Sequence, residues 1–195
     1  MTIINLFPTA IYETYYKGDL TPYVDRCMEL KDKIKKGGGN WVNGPYNTCG
    51  SYDLFKDKHF KKLKNFFNEH VIRFTRAIGI ESVNTKQGYA WFNLYNKNDS
   101  QEYHNHNFNV VSGIFYLKSN EGDANTCFKS PINDLPSDAK FDETNAYTWK
   151  IYKSYPIQGK LLFFRSDLDH CVERQMVDSN RITIAVNYKC QQLMD

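Results

Sequence analysis

Histidine is thinly spread in this chain, five residues in 195, so any that cluster stand out. Acid and base nearly balance, 25 Lys and Arg against 22 Asp and Glu. The net charge of +3 is too small to argue for a nucleic-acid partner. Even the one dense basic run, Lys56 to Lys64, falls in an amphipathic segment and reads as a solvated helix face. No apolar stretch approaches the ~18 residues that a membrane span needs, so no membrane partner is expected. The opening Met1-Thr-Ile-Ile-Asn-Leu-Phe-Pro lacks a charged start and a long apolar run, and no signal peptide is expected. The five cysteines, at 27, 49, 127, 171 and 190, form no CxxC pair and leave one over. They read as reduced thiols in a cytoplasm.

Aromatic side chains are plentiful, with 14 Tyr and 13 Phe, as suits sheets that pack on rings. The length is that of one domain, and residues 1–195 are read as a single unit. Residues 3–16 alternate loosely and suggest a first strand. Thr21-Pro22 looks like a helix start, a capping hydroxyl followed by Pro at the first helical position, with Gly37-Gly38-Gly39 ending that helix after Lys36. Phe60, Leu63, Phe67, Val71, Phe74 and Ile78 recur every three or four residues, one apolar stripe of a second helix that Gly79 stops. From residue 88 the period falls to two. Residues 88–96, 110–118, 126–129, 147–152, 160–165 and 181–189 read as strands, with 119–146 mostly loop. The expectation is an α+β fold: a jelly-roll barrel over 88–190, backed by a strand and helices from 1–87.

Two of the five histidines form His104-Asn105-His106. In an extended segment alternate residues share a face, so both rings project the same way. His170 follows the strand Gly159-Lys-Leu-Leu-Phe-Phe and could bring a third ring from a distant part of a barrel. Three ligands on one side of an ion leave positions open, as in the facial triads of non-haem iron oxygenases, which normally hold two His and one carboxylate. An HxH pair also arises by chance, and His59 and His70, on the amphipathic segment, read as structural. In Arg181 to Tyr188, Ile182, Ile184 and Val186 face one way while Arg181, Thr183, Ala185 and Asn187 face the other. A guanidinium on a cavity-facing side needs an anionic partner, either a ligand carboxylate or a protein acid such as Asp178 or Glu173.

Taken in order, Trp91-Phe-Asn93, His104-Asn-His106, Ser112-Gly-Ile-Phe-Tyr116-Leu, Gly159-Lys-Leu-Leu-Phe-Phe, His170 and Arg181 to Tyr188 resemble the 2-oxoglutarate/Fe(II)-dependent dioxygenase superfamily. The likeness is to its prolyl-hydroxylase-like branch and to small bacterial and phage members, whose beginning Leu6-Phe7-Pro8-Thr9 also resembles. It covers residues 88–189. The resemblance implies a double-stranded β-helix, a cupin-like barrel, with Fe(II), 2-oxoglutarate and O2 as cofactors. It implies hydroxylation of a substrate, a protein side chain or a small molecule, with release of succinate and CO2. By the same likeness His104, His106 and His170 are the metal ligands, Arg181 and Tyr116 bind the far carboxylate of 2-oxoglutarate, and Asn93 and Thr183 line the pocket.

The departure is His106, where the general motif carries Asp or Glu. Either three imidazoles hold the metal, or Glu102 supplies the carboxylate and one histidine steps back. The rival expectation from another class is a cupin-like protein with Zn(II) or Ni(II) on three histidines and no 2-oxoglutarate chemistry. Residues 119–146 with Trp149, and residues 37–50 with Trp41 and Asn43-Gly44, are the candidate lids.

Overall fold

The computed structural model describes residues 2–39, 41–80, 83–132 and 145–190. Ten strands and two α-helices follow one another within them. In chain order these are β1 Ile11–Tyr15, α1 Thr21–Lys33, β2 Tyr46–Asn47, α2 Lys61–Ala77, β3 Val83–Tyr95, β4 Gln101–His104, β5 Val111–Lys118, β6 Thr126–Lys129, β7 Ile151–Ser154, β8 Lys160–Arg165, β9 His170–Val172 and β10 Arg181–Cys190. They form two antiparallel sheets. The larger has the order β1-β8-β5-β10-β3-β2 and the smaller β4-β9-β6-β7. From β3 onward consecutive strands alternate between the sheets except at the β6-β7 pair, which stays in the smaller one, as expected of a jelly roll.

The period-two reading of β10 explains how the layers meet. Ile182, Ile184 and Val186 are buried in one cluster with Leu63, Phe67 and Val71 of α2 and Cys27 and Leu30 of α1. Each such side chain contributes roughly 1.5–3 kcal/mol when fully removed from water. The opposite side of the larger sheet faces the smaller one, where Ile114, Tyr116, Phe128, Leu162, Phe164 and Leu168 form a second apolar cluster. The stripe expected of α2 is buried at Leu63, Phe67, Val71 and Phe74, with Phe60 buried just before the helix and Ile78 partly so. Gly79 (φ 76°) follows it, in a conformation that costs a Cβ-bearing residue more.

Several boundaries differ from expectation, among them the start of β3 at Val83 rather than 88. The first strand is confined to Ile11–Tyr15, because it pairs only with β8, from Phe164 back to Lys160. Helix α1 does not use Thr21 as its cap. Leu20 is the capping residue, and the Asp19 carboxylate accepts from the Thr21 amide at 2.9 Å. It ends at Lys33, since Ile34 turns extended and packs on the core. Gly37 instead lies against the segment leading from β2, donating to the Asn47 carbonyl at 2.7 Å. A Cβ on Gly37 would meet the Cys49 oxygen at 2.1 Å. Strand β7 starts at Ile151 rather than 147, matching the four residues of β6. Of the candidate lids, 133–144 and residue 40 lie outside the described residues.

Below the helices, Asp57 is buried and accepts hydrogen bonds from Arg26 Nε, Tyr52 Oη and the His59 amide, and its carboxylate lies 2.7 Å from His59 Nδ1. Burial alone would raise its pKa, but these donors outweigh it and hold the carboxyl well below the usual range. A carboxyl depressed on folding stabilises the protein above its unfolded pKa, and that contribution is lost as pH falls toward the folded value. Asp57→Asn is therefore expected to cost about 2 kcal/mol at neutral pH. The difference from wild type should shrink below about pH 4, read from urea midpoints across pH. A pH-independent difference would sink this account.

Candidate metal and cosubstrate site

His104, His106 and His170 meet between the sheets, their ligand atoms all within 4.8 Å of one another. Ring centroids are 4.3 Å apart for His104 and His170, 5.1 Å for His104 and His106, and 5.3 Å for His106 and His170. The convergence has a local cause. Pairing of β4 with β9 aligns Gln101 with Val172 but His104 with His170, so β4 carries one extra residue. Such a bulge re-aims side chains. It turns Gln101 and His104 toward the cavity and leaves Glu102 and Tyr103 exposed. His106, past the end of β4, is held by its amide donating to the Ser166 carbonyl at 2.7 Å.

The bulge also corrects the Glu102 alternative. Its carboxylate is turned outward, accepting from the Val42 amide at 3.1 Å, and is not in the histidine cluster.

Tautomers follow from the partners. His104 Nδ1 lies 2.8 Å from the Glu102 carbonyl and His170 Nδ1 lies 2.9 Å from the Leu168 carbonyl. A carbonyl only accepts, so each Nδ1 carries its hydrogen and each Nε2 keeps a lone pair. Burial, with the neighbouring rings adding to it, pushes the pKa of His106 to about 4 and of His170 to about 3, and burial also lowers that of His104. All three are thus neutral near pH 7, the form that binds a metal. The cluster fits a divalent cation of borderline softness with positions left open.

The cavity under these rings counts about 440 Å³ of space, its mouth included. Its wall is β10 and β3, where Arg181 pairs with Tyr95, Thr183 with Asn93 and Ala185 with Trp91. Arg181 is 0% exposed, and Nε, Nη1 and Nη2 all lack a hydrogen-bond partner among the described residues. Its guanidinium rests 4.5 Å from the Tyr95 ring centroid and 5.4 Å from that of Tyr116. The protein-acid alternative for its partner does not hold: Glu173 binds Lys153 and Asn125 instead, and no carboxylate lines the cavity among the described residues. A buried cation without a counter-charge is costly, and its fork matches a carboxylate.

Of the other expected residues, Asn93 and Thr183 line the cavity, joined by a 3.3 Å bond from Asn93 Nδ2 to Thr183 Oγ1. Tyr116 lies on the same side of β5 as Ile114 but is not among the lining residues, and its hydroxyl donates to Thr126 Oγ1 at 2.8 Å. Sequence reasoning missed Tyr95, Gln101 and Thr126. Tyr95 was in reach, two steps of period two beyond Trp91. His59 and His70 lie away from the site, held by Asp57 and the Tyr12 hydroxyl.

Residues 89–187 match the family described as "Putative 2OG-Fe(II) oxygenase". No curated protein matches the chain. Among solved structures, a Pseudomonas putida prolyl-4-hydroxylase superposes with a TM-score of 0.65 at 11% identity, covering 93% of each chain. A Trichoplax adhaerens prolyl hydroxylase in complex with a hypoxia inducible factor peptide fragment gives 0.68 at 15%, covering 92% of this chain and 83% of that one. HygX from Streptomyces hygroscopicus, with nickel and 2-oxoglutarate bound, gives 0.60 at 13%, covering 95% and 84%. At these identities the superpositions speak for the fold, a double-stranded β-helix.

Proposed function

The chain belongs to the 2OG-Fe(II) oxygenase family, and from that premise we propose that His104, His106 and His170 hold the Fe(II) and that Arg181 grips the distal carboxylate of 2-oxoglutarate. The enzyme is a 2-oxoglutarate- and Fe(II)-dependent oxygenase. Bound together, Fe(II), 2-oxoglutarate and O2 supply the oxidising power that converts the cosubstrate to succinate and CO2. On our reading the substrate is hydroxylated at an unactivated C–H bond, in a protein side chain or a small molecule.

The observation that carries the assignment is the bare guanidinium of Arg181, walled into the same cavity as three neutral imidazoles. The protein's own tasks follow from it. Nδ1–H bonds to backbone carbonyls fix the His104 and His170 rings and leave each Nε2 lone pair free, the atoms that would hold the ion. Arg181 orients the diacid along the β10 wall, and Asn93 and Thr183 flank it. Asn93 Oδ1, a buried acceptor with no partner among the described residues, is available to a hydrogen-bond donor entering the cavity. Trp91 and Trp41, whose rings lie 6.1 Å from His106 and 4.6 Å from His104, shield the metal side from water.

The three-imidazole set brings no negative charge, so the dianionic cosubstrate supplies the charge that neutralises a divalent ion. Metal and 2-oxoglutarate should therefore bind cooperatively. We take residues 1–195 as one catalytic domain and the described residues of 37–50, with Trp41 4.6 Å from the His104 ring, as part of its cover. A cytoplasmic setting is part of the same reading, consistent with five free cysteines. No helix among the described residues is long and apolar enough to cross a membrane.

The direct test is conversion of 2-oxoglutarate by the purified chain with Fe(II), ascorbate and air, followed by NMR. Succinate should form even without a primary substrate and cease on chelation. Succinate at the level of the protein-free control would refute the assignment.

A further inference from the structure

Lys160 opens β8 and is 3% exposed, yet it does not line the cavity. Its Nζ donates to Ser154 Oγ at 2.9 Å and lies 5.4 Å from the centroid of the Tyr116 ring. The Arg181 guanidinium lies at the same distance from that ring. Two buried cations therefore share one aromatic side chain. The only carboxylate paired with Lys160 among the described residues is Glu13, 3.8 Å away, 41% exposed and also bonded to the Tyr15 hydroxyl. Burial accordingly lowers the Lys160 pKa, against the pull of Glu13. Ser154 in turn pairs across the strands with Thr126, which accepts from the Tyr116 hydroxyl and lines the cavity.

We propose that Lys160 is a positioning residue for the cosubstrate: a second buried cation that strengthens the anion-binding end of the cavity and, through Ser154, holds the Tyr116–Thr126 pair beneath Arg181. The inference rests on the cosubstrate reading given above. Its physical basis is that a charge in a dry interior is weakly screened, so a carboxylate on Arg181 also feels Lys160 beyond contact range. The surrounding wall holds no acid among the described residues to cancel that field.

The test compares two ligands on the full chain loaded with Mn(II): 2-oxoglutarate, and 2-oxopentanoate, which has a methyl group where the distal carboxylate would be. Lys160→Met should weaken 2-oxoglutarate about tenfold and leave 2-oxopentanoate within about twofold, while Lys160→Arg restores most of the loss. Glu13→Gln, which removes the lysine's exposed counter-charge, should tighten 2-oxoglutarate by about twofold. Equal weakening of both acids, or no rescue by Arg, marks a merely structural lysine and overturns the proposal. If Lys160→Met does not fold, Glu13→Gln decides, and unchanged or weaker affinity overturns it. Arg181→Met separates the two levels. Full 2-oxoglutarate binding in that variant sinks the cosubstrate reading itself, whereas its loss beside an unaffected Lys160→Met sinks only the role of Lys160.

Discussion

Arg181→Met is expected to weaken 2-oxoglutarate binding by at least about a hundredfold while raising the stability of the metal-free protein by about 1–2 kcal/mol. The two effects have one origin. Arg181 is fully buried and no acid among the described residues pairs with it, and a buried cation without a counter-charge costs several kcal/mol in desolvation. Its contacts with Tyr95 and Tyr116 return about 2 kcal/mol, which is less than the cost. Methionine is shorter but unbranched, fills irregular space and leaves no charge. When the diacid binds, the same guanidinium gains its counter-charge, and that gain is what the variant loses. Calorimetric unfolding of the metal-free protein and equilibrium dialysis of 2-oxoglutarate read the two effects. A variant that binds 2-oxoglutarate like wild type, or that is less stable than wild type by several kcal/mol, contradicts this account of the cavity.

The largest effect on the metal is expected at His170. It is 4% exposed, is fixed by the Leu168 carbonyl, and comes to the histidine cluster from β9, apart from the His104–His106 pair. His170→Ala should lower Mn(II) affinity about a thousandfold, on the order of 4 kcal/mol, since two neutral ligands remain where there were three. His106→Asp should behave oppositely. It keeps a donor at the position and adds a negative charge, so Mn(II) binding should persist or tighten, and the cooperativity between Mn(II) and 2-oxoglutarate should shrink. Mn(II) titrations followed by electron paramagnetic resonance, with and without 2-oxoglutarate, read both. Wild-type affinity in His170→Ala would remove that residue from the ligand set.

Much of this site was legible before any coordinates. The parity of Arg181 to Asn187 assigned Ile182, Ile184 and Val186 to the helix-backed core and Arg181 and Thr183 to the cavity, and the structure divides them that way. It succeeded because both faces of β10 are buried by different partners, which makes the alternation sharp. Counting in twos would put Glu102 on the face of His104, yet its carboxylate turns outward to the Val42 amide. One inserted residue in β4 inverts the count there, and nothing in Gln101-Glu-Tyr-His104 advertises it. Strand β9, three residues long, is too short to carry a pattern. Tyr116 has the expected parity, but its hydroxyl is claimed by Thr126, a partner ten residues away across two sheets. The Zn(II) or Ni(II) alternative, open on histidines alone, gives way to the family match. It also offers no use for a bare buried arginine.

Because β10 divides its side chains between helix packing and the cavity wall, its length is under a constraint that neither task imposes alone. One residue inserted or deleted near Ile184 would send isoleucines into the polar chamber and aim Thr183 or Ala185 at the helices. No repacking can mend half of such a shift. Changes in chain length within this ten-residue strand should therefore be tolerated far less than changes in the segment leading into Arg181.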